Sequence, residues 1–201
     1  MPSSPVHARA VLLAGPSGSG KSTLAAGWGL PVLRLDDFYR EGDDPLLPRD
    51  DTGRPDWDAE DSWNTADALA AVVALATTGT VEAPVYALGE DRRVGSRTVT
   101  APGLFVAEGL FADRLVAGCR EAGVLADAIV LAPNAVLTFA RRFARDVAEA
   151  RKPVPLLARR GLRLLREHSA VVRRCVDAGM RPVAPHRAEA PTIGGRAAAA
   201  V

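Results

Sequence analysis

Short apolar runs on either side of a glycine-rich turn predict the first elements of the chain. Residues 9–14 (RAVLLA) have the continuous apolar pattern of a buried strand. Gly15–Gly20 reads as a turn, Ser22–Trp28 as a helix, and Val32–Leu35 as a second strand that runs into an Asp-Asp pair. Strand, turn, helix and strand in this order are typical of a parallel α/β sheet.

The rest of the chain continues the same alternation of helical and strand patterns. Residues 40–60 show little periodicity and predict a long loop, and such loops in compact domains are commonly functional. Pro182–Val201 has little to bury and predicts a loosely held tail. The other predicted elements are the helix Ser62–Thr77, the strand pair Val81–Val85 and Val94–Val99, the strand Leu104–Ala107, the helix Phe111–Glu121, the strand Ala128–Leu131, a helix capped by Asn134 and ending at Ala150, and a basic helix Leu156–Val176.

The composition limits the classes of protein to which the chain can belong. The chain has 201 residues, 48% of them apolar, which is enough for one core without a metal or disulfide to support it. Its apolar runs are far shorter than the roughly 20 residues of a membrane span, and the first ten residues lack the layout of a signal peptide. We therefore expect a cytoplasmic protein that does not use a membrane. The two cysteines, Cys119 and Cys175, have no metal-ligand spacing and predict no disulfide framework.

Charge is segregated along the chain although the formal net charge is only +1. Residues 36–61 hold eleven acids and three arginines, whereas residues 141–174 hold eleven bases and three acids. Opposed poles favour a polyanion bound on one side and a metal or polyol on the other, unless both are ordinary solvated faces. Residues 159–174 contain no aromatic side chain to stack on bases, which argues against nucleic acid as a partner.

The segment Gly15–Ser22 matches the phosphate-binding pattern G-x-x-x-x-G-K-[ST]. Its glycines let successive backbone N–H groups point at phosphate oxygens, and the following helix adds its positive end. Lys21, one of only two lysines against 23 arginines, reaches the β- and γ-phosphates in this pattern, and the Ser22 hydroxyl binds Mg²⁺. ATP and Mg²⁺ are therefore the expected cofactors. The residues predicted to hold the nucleotide are Gly15, Ser17, Gly18, Ser19, Gly20, Lys21, Ser22 and Thr23.

Two acids at strand ends narrow the class of P-loop protein. Asp36 follows the run VLRL, and Glu108 follows LFVA. The Asn-Lys-x-Asp segment of switch GTPases and the Leu-Ser-Gly-Gly signature of transporter ATPases are both absent from the sequence. Acids at the ends of two strands fit a small-molecule kinase, in which one holds metal-bound water and the other takes a proton from the acceptor hydroxyl.

Five sequence blocks occur in the order of one known family. They are the P-loop with LDDFY (Leu35–Tyr39), DWDAEDSWN (Asp56–Asn64), PVYALGEDRR (Pro84–Arg93), AEGLF (Ala107–Phe111) and RRFARD (Arg141–Asp146). Over about residues 10–155 the chain resembles the uridine kinase family of P-loop nucleoside kinases, which is related to phosphoribulokinase and one type of pantothenate kinase. The resemblance implies an α/β fold, the three-layer α/β/α P-loop NTPase fold, with a mostly parallel sheet, a small β-hairpin insertion and a helical lid. It implies one kinase domain over residues 1–181, with the acceptor-site insertion at about 40–100 and the lid at about 141–160.

The resemblance also implies roles for individual residues. Asp36 would take the proton of the acceptor hydroxyl or be a metal-linked acid beside it, Glu108 would bind magnesium through water, and arginines of the lid would cover the phosphates. The residues implied in catalysis are Asp36, Lys21, Arg141 and Arg145, those implied to contact the acceptor are Trp57, Asp58, Tyr86 and Arg142, and those implied to bind metal are Ser22, Asp36 and Glu108.

Departures from the family's pattern bear on the acceptor. Asp91 stands where the family has a histidine that touches the pyrimidine, and Ala87 stands where it has an acid. The first expectation is an ATP-dependent kinase for the 5′-hydroxyl of a nucleoside, uridine or cytidine, with this small molecule as its partner. A kinase for pantothenate, a sugar or an antibiotic hydroxyl is one alternative, and an ATP-binding regulator without turnover is another. The sequence is compatible with either a monomer or a homo-oligomer.

Overall fold

A parallel sheet between two layers of helices forms the centre of the fold. The computed structural model describes residues 6–57, 59–87, 89–132 and 168–191. The strands are β1 (Arg9–Ala14), β2 (Val32–Arg34), β3 (Thr80–Ala87), β4 (Arg92–Thr100), β5 (Leu104–Glu108), β6 (Leu125–Leu131) and β7 (Arg181–Val183). The helices are α1 (Lys21–Gly27), α2 (Thr65–Thr78), α3 (Val116–Glu121) and α4 (residues 168–177). Short 3₁₀ turns occur at Leu35–Phe38, Glu60–Ser62, Ala112–Leu115 and Pro185–Arg187.

The five strands of the main sheet lie in the order β2-β5-β1-β6-β7, and every neighbouring pair is parallel. β3 and β4 form a separate antiparallel hairpin. Both features confirm the prediction of a parallel α/β sheet with a hairpin inserted into it. After β1 the chain forms β2 at the edge of the sheet, and it later returns to form β5 in the position between β2 and β1. The hairpin lies in the segment that connects β2 to β5.

The central strands are apolar throughout because both of their faces are buried. On β1, Ala10 and Leu12 belong to a core shared with α2 and α3, whereas Val11 and Leu13 belong to a second core shared with α1. All four side chains are fully buried. The alternation of neighbouring residues between two cores is the direct evidence for three layers.

Helix α2 begins at Thr65 rather than at the predicted Ser62 because Asn64 caps it. The Asn64 side-chain oxygen accepts a hydrogen bond from the Asp67 amide at 3.2 Å, which satisfies an N–H group in the first turn. Ser62 is instead buried in a 3₁₀ turn, where its hydroxyl donates to the Ala59 carbonyl at 2.6 Å. The helix ends at Thr78 and is followed by Gly79, whose φ of +78° places it in the left-handed region.

Two predictions for the second half of the chain differ from the structure. Phe111–Glu121, predicted as one helix, is a 3₁₀ turn followed by the short α3. The segment predicted as a loose tail from Pro182 begins in an ordered strand, since β7 pairs with β6 and the Trp28 indole donates to the Ala188 carbonyl at 3.4 Å. A three-residue strand at a sheet edge has little pattern of its own and depends on its tertiary partner.

Some predicted elements cannot be compared with the structure. The helix from Asn134 to Ala150 and the predicted lid at about 141–160 lie outside the described residues. α4 coincides with the last part of the predicted helix Leu156–Val176. Within the described ranges, no helix combines the length and the apolar character needed to cross a bilayer.

A matched pair of Leu→Ala substitutions tests the position of the core. Leu12 on β1 is fully buried, whereas Leu46 in the long loop is 68% exposed. We expect Leu12→Ala to lower the free energy of unfolding by about 2–5 kcal/mol, because it leaves a cavity between the sheet and α2. Leu46→Ala should change it by less than about 0.5 kcal/mol. Urea denaturation measures both, and equal losses would contradict the assigned core.

Candidate functional site

The carboxyl ends of three strands meet at one edge of the sheet and carry the candidate residues. β1 leads into the loop Gly15–Gly20, β2 leads into the 3₁₀ turn that contains Asp36, and β5 ends at Glu108. The strand register places Glu108 beside Leu13 of β1 and Arg34 of β2. Open α/β sheets bind their ligands at this edge, and the topology brings the loop and both acids there.

The loop between β1 and α1 has the shape and the free donors of an anion site. Gly15, Gly18 and Gly20 have φ values of +153°, +73° and +91°, a region that glycine tolerates best. A Cβ on Gly15 would lie 2.9 Å from the Ser19 hydroxyl oxygen and 3.2 Å from Leu131. The buried Ser19 hydroxyl has no hydrogen-bond partner among the described residues, and the amides of Gly18 and Gly20 likewise donate to none of them. Such a concave set of unpaired donors is suited to phosphate oxygens.

Lys21 places a positive charge at the base of this loop. Its Nζ donates to the Gly15 carbonyl at 2.9 Å and lies 3.4 Å from the Pro16 carbonyl oxygen. The side chain is only 8% exposed, so these carbonyls replace the water that the ammonium has lost. Phosphate oxygens would be stronger partners for the same group, because both members of the pair would then be charged. Ser17 and Thr23, near the two ends of the loop, are exposed.

Ser22 and Glu108 place two side chains with oxygen atoms suited to bind a metal ion beside the loop. The Ser22 hydroxyl donates to Glu108 Oε1 at 2.9 Å, while the buried Oε2 has no hydrogen-bond partner among the described residues. Burial raises the pKa of Glu108 and the nearby Asp36 acts in the same direction, whereas the bond from Ser22 lowers it. A divalent cation would satisfy the unpaired oxygen and offset the buried negative charge, so these residues fit a magnesium ion. The described part of the chain has no cluster of three or more His, Cys, Asp or Glu side chains that could hold a metal ion.

Asp36 is held at the same edge by the segment that follows β5. Its Oδ1 accepts a hydrogen bond from the Leu110 amide at 3.1 Å. Gly109 permits this approach, because a Cβ there would lie 2.7 Å from the Leu35 Cβ and 2.9 Å from Asp36 Oδ1. The Trp63 indole donates to the Leu35 carbonyl at 2.7 Å. The backbone before Asp36 and the carboxylate itself are therefore both fixed by contacts with distant parts of the chain.

A cleft of about 450 Å³ connects the loop Gly15–Gly20, called the phosphate loop below, to a group of aromatic side chains. The predicted acceptor contacts Trp57 and Tyr86 line it together with Tyr39, whose ring centroid is 5.9 Å from that of Trp57 and 6.1 Å from that of Tyr86. The described residues around the cleft are Ser17, Gly18, Lys21, Ser22, Asp36, Tyr39, Trp57, Tyr86, Asp91 and Leu110. A planar or amphipathic molecule bound between these rings would occupy the same cleft as Asp36.

The aromatic end of the cleft carries negative charge. Asp91 lines it at the tip of the β3–β4 hairpin. Burial raises the pKa of Tyr86 to about 12, and the charges of Asp91 and Glu41 act in the same direction. The phenol is therefore neutral at physiological pH, and it donates to the Arg40 carbonyl at 2.8 Å. Among the described residues that line the cleft, Lys21 is the only basic one.

Asp37, unlike its neighbour Asp36, connects the hairpin to the turn after β2. Its side chain is 4% exposed and lies 3.6 Å from an Arg97 nitrogen and 3.9 Å from an Arg34 nitrogen. The Tyr86 amide donates to Asp37 Oδ1 at 3.3 Å. Asp37 therefore fixes the position of Tyr86, a cleft residue, relative to the turn that carries Asp36.

Some residues that the sequence predicts for the site cannot be compared with the structure. Asp58, Arg141, Arg142 and Arg145 lie outside the described residues. Conversely, the sequence pattern did not single out Tyr39 or Leu110 as cleft residues. Tyr39 ends the LDDFY block, and that block was a usable signal. Leu110 acts through its backbone amide, which no sequence pattern reveals.

Comparisons with known proteins identify the fold. No family model and no curated protein matches the chain. Among solved structures, a candidate fructose transport system kinase from Silicibacter sp. TM1040 is similar with a TM-score of 0.56 and 22% identity over 90% of both chains. A possible uridine kinase from Bacillus stearothermophilus has a TM-score of 0.47, with 20% identity over 67% of this chain and 76% of that one. Phosphoribulokinase from Rhodobacter spheroides has a TM-score of 0.46, with 17% identity over 83% of this chain and 64% of that one. The chain has the three-layer α/β/α fold of P-loop NTPases.

A pair of Asp→Ala substitutions tests the role of Asp37. We expect Asp37→Ala to lower the free energy of unfolding by about 1–3 kcal/mol, because the hairpin loses a buried acceptor for the Tyr86 amide and a partner for Arg97. Asp43→Ala, at an exposed position of the acid-rich stretch 36–61, removes the same charge and should cost less than about 0.5 kcal/mol. Chemical denaturation gives both values, and a neutral Asp37→Ala would show that the contact does not hold the hairpin.

Proposed function

We propose that the chain is a kinase that transfers the γ-phosphate of ATP, with Mg²⁺, to a hydroxyl group of a nucleoside, uridine or cytidine at the 5′ position. The observation that carries this proposal is the presence of Asp36 and the phosphate loop on the same cleft. The cleft continues from the phosphate loop to aromatic side chains, which leaves room for an acceptor beside Asp36. The name of the similar structure from Silicibacter, a candidate kinase, agrees with phosphoryl transfer.

The phosphate end of the cleft would bind and neutralise the donor. The amides of Gly18 and Gly20 and the hydroxyl of Ser19 would hold phosphate oxygens, and Lys21 would exchange its carbonyl partners for them. Ser22 and Glu108 would hold Mg²⁺, which when bound lowers the repulsion between the phosphates and the incoming hydroxyl. Phosphoryl transfer depends mainly on such positioning and charge stabilisation. Arg141 and Arg145 would cover the phosphates, as the sequence predicts.

Asp36 would orient the acceptor hydroxyl and take its proton. A general base must lie within hydrogen-bond reach of the proton that it accepts, and Asp36 lines the same cleft as the phosphate loop and the aromatic side chains. Its contact with the Leu110 amide occupies one carboxylate oxygen and thereby restricts the orientation of the other. The group is thus oriented before the acceptor binds, which removes part of the entropic cost of the reaction.

The charges of the cleft favour a neutral acceptor. Asp36 and Asp91 both line it, and no basic side chain of the described lining balances them beyond the phosphate loop. An acceptor that carries its own carboxylate, such as pantothenate, would be repelled by both acids. A nucleoside is neutral, its base can pack against Tyr39, Trp57 and Tyr86, and its ribose hydroxyls can donate to carboxylates.

A sugar is the second candidate acceptor. Hydroxyl groups donate well to carboxylates, so the acids at the cleft also suit a polyol. The name of the similar structure from Silicibacter, a fructose transport system kinase, is consistent with this alternative. The aromatic side chains favour the nucleoside because a flat base uses their faces more fully than a sugar does.

An assay of ADP release with a panel of acceptors tests the proposed activity. The panel contains uridine, cytidine, fructose, an aminoglycoside and pantothenate, each with MgATP. We expect turnover with the nucleosides and little with pantothenate. Turnover with fructose alone would favour the second candidate. ATP binding without acceptor-dependent ADP release for any member would contradict the proposed transfer and favour a regulator.

The variant Asp36→Asn tests the proposed base. We expect kcat for the best acceptor to fall at least about a hundredfold, because the amide cannot take the proton. The affinity for ATP, measured by calorimetry, should stay within about twofold, since the phosphate loop is unchanged. Asp43→Asn is the matched control for loss of one negative charge and should retain turnover. Normal turnover by Asp36→Asn would rule out this role.

The variant Glu108→Gln tests the proposed magnesium ligand. In the wild type we expect Mg²⁺ to increase the thermal stabilisation produced by a non-hydrolysable ATP analogue. Glu108→Gln should lose at least about 1.4 kcal/mol of this Mg²⁺-dependent increment, equivalent to tenfold weaker binding, and keep the stabilisation seen without Mg²⁺. Glu121→Gln, at an exposed position, should behave like the wild type. An unchanged increment in Glu108→Gln would exclude the assignment.

A further inference from the structure

Arg174 on α4 holds the segment that follows β5. Its Nε and Nη2 donate to the two carboxylate oxygens of Asp113 at 2.9 and 3.1 Å. Nη2 also donates to the Leu110 carbonyl at 3.0 Å, and the guanidinium carbon lies 5.2 Å from the centre of the Phe111 ring. One side chain from a distant helix therefore contacts Leu110, Phe111 and Asp113.

This contact is more than an ordinary surface ion pair. The Asp113 side chain is 2% exposed and that of Arg174 is 29% exposed. Two hydrogen bonds between one arginine and one carboxylate also fix the orientation of the guanidinium relative to the carboxylate. An exposed ion pair with a single contact does not. Lysine could replace the charge, but its single ammonium cannot reproduce the fork, the carbonyl contact and the stacking together.

The segment that Arg174 holds is the one that holds Asp36. Leu110 accepts a bond from Arg174 through its carbonyl and donates one to Asp36 Oδ1 through its amide. The backbone at Gly109 packs closely against Asp36, since a Cβ there would lie 2.9 Å from Asp36 Oδ1. A shift of the segment would therefore move the amide and, with it, the carboxylate.

We propose that Arg174 is a positioning residue for Asp36, acting through Leu110. It fixes the segment after β5 so that the Leu110 amide keeps the Asp36 carboxylate aimed into the cleft. The inference rests on the proposed function, in which Asp36 accepts the proton of the acceptor hydroxyl. Arg174 does not line the described cleft, so its loss should affect the rate of transfer more than the binding of either substrate.

Kinetics of three variants test this proposal. Arg174→Met removes the fork and keeps an apolar side chain, Arg174→Lys keeps the charge, and Arg173→Met is the matched control at the preceding, exposed position. We expect Arg174→Met to lower kcat by between about tenfold and a hundredfold, as small displacements of a reacting group do. The acceptor KM and the ATP affinity should stay within about twofold. Arg174→Lys should recover little of the loss, and Arg173→Met should match the wild type.

A double-mutant cycle separates positioning from a general loss of structure. If Arg174 acts through the Asp36 carboxylate, Arg174→Met should cause little further loss of kcat in an Asp36→Asn background, because groups that act as a unit are not additive. An equal loss in both backgrounds would overturn the proposal. Wild-type kcat in Arg174→Met would overturn it as well. Should Arg174→Met fail to fold, Arg174→Lys takes its place in the cycle with the same two criteria.

Hydrogen exchange of the peptide that contains Leu110 tests the link without any acceptor. In the wild type its amide should be protected by Asp36. We expect faster exchange of this amide in Arg174→Met and in Asp36→Ala, and wild-type exchange in Arg173→Met. Unchanged exchange in Arg174→Met would refute the link. If no acceptor is phosphorylated by the wild type, the proposed function fails, while this measurement still decides whether Arg174 orients Asp36.

Discussion

The pairing of β5 between β1 and β2 is the constraint on which the candidate site depends. It places the end of β5 beside the ends of the other two strands, so that Glu108 meets Ser22 at 2.9 Å and Leu110 meets Asp36 at 3.1 Å. Parallel strands require long crossing connections, and here one connection contains the loop at residues 40–60, α2 and the hairpin. The same pairing that builds the sheet therefore also brings the aromatic side of the cleft to the loop Gly15–Gly20.

Burial of charge distinguishes the two ends of the cleft. At the phosphate end, Lys21 and the free donors of the loop are arranged for an anion, and the unpaired oxygen of Glu108 for a cation. At the other end, aromatic rings line the cleft together with Asp91, and none of the described lining residues there is basic. Buried polar groups without partners cost free energy. The Ser19 hydroxyl and Glu108 Oε2 have no partner among the described residues, so a ligand bound at this end would offset that cost.

Asp36 shows how a site residue depends on distant structure. The indole of Trp63 fixes the Leu35 carbonyl just before it, the Leu110 amide fixes its carboxylate, and Arg174 fixes Leu110 from α4. Asp37, next in the chain, points into the contact between the turn and the hairpin instead. Two adjacent aspartates thus have different roles because the backbone turn directs one to the cleft and the other to the interior.

Local pattern determined much of this protein. The apolar runs predicted β1, β5 and β6, and the glycine spacing predicted the phosphate loop, because burial on both faces and tight turns restrict which residues are allowed. The position of Asp36 and Glu108 at the ends of apolar runs was enough to select both acids as site candidates. Tertiary structure alone decided the strand order, the strand at residues 181–183, the inclusion of Tyr39 in the cleft and the link from Arg174 to Asp36. These features arise from contacts between residues far apart in the chain and from backbone amides, and neither leaves a periodic mark in the sequence.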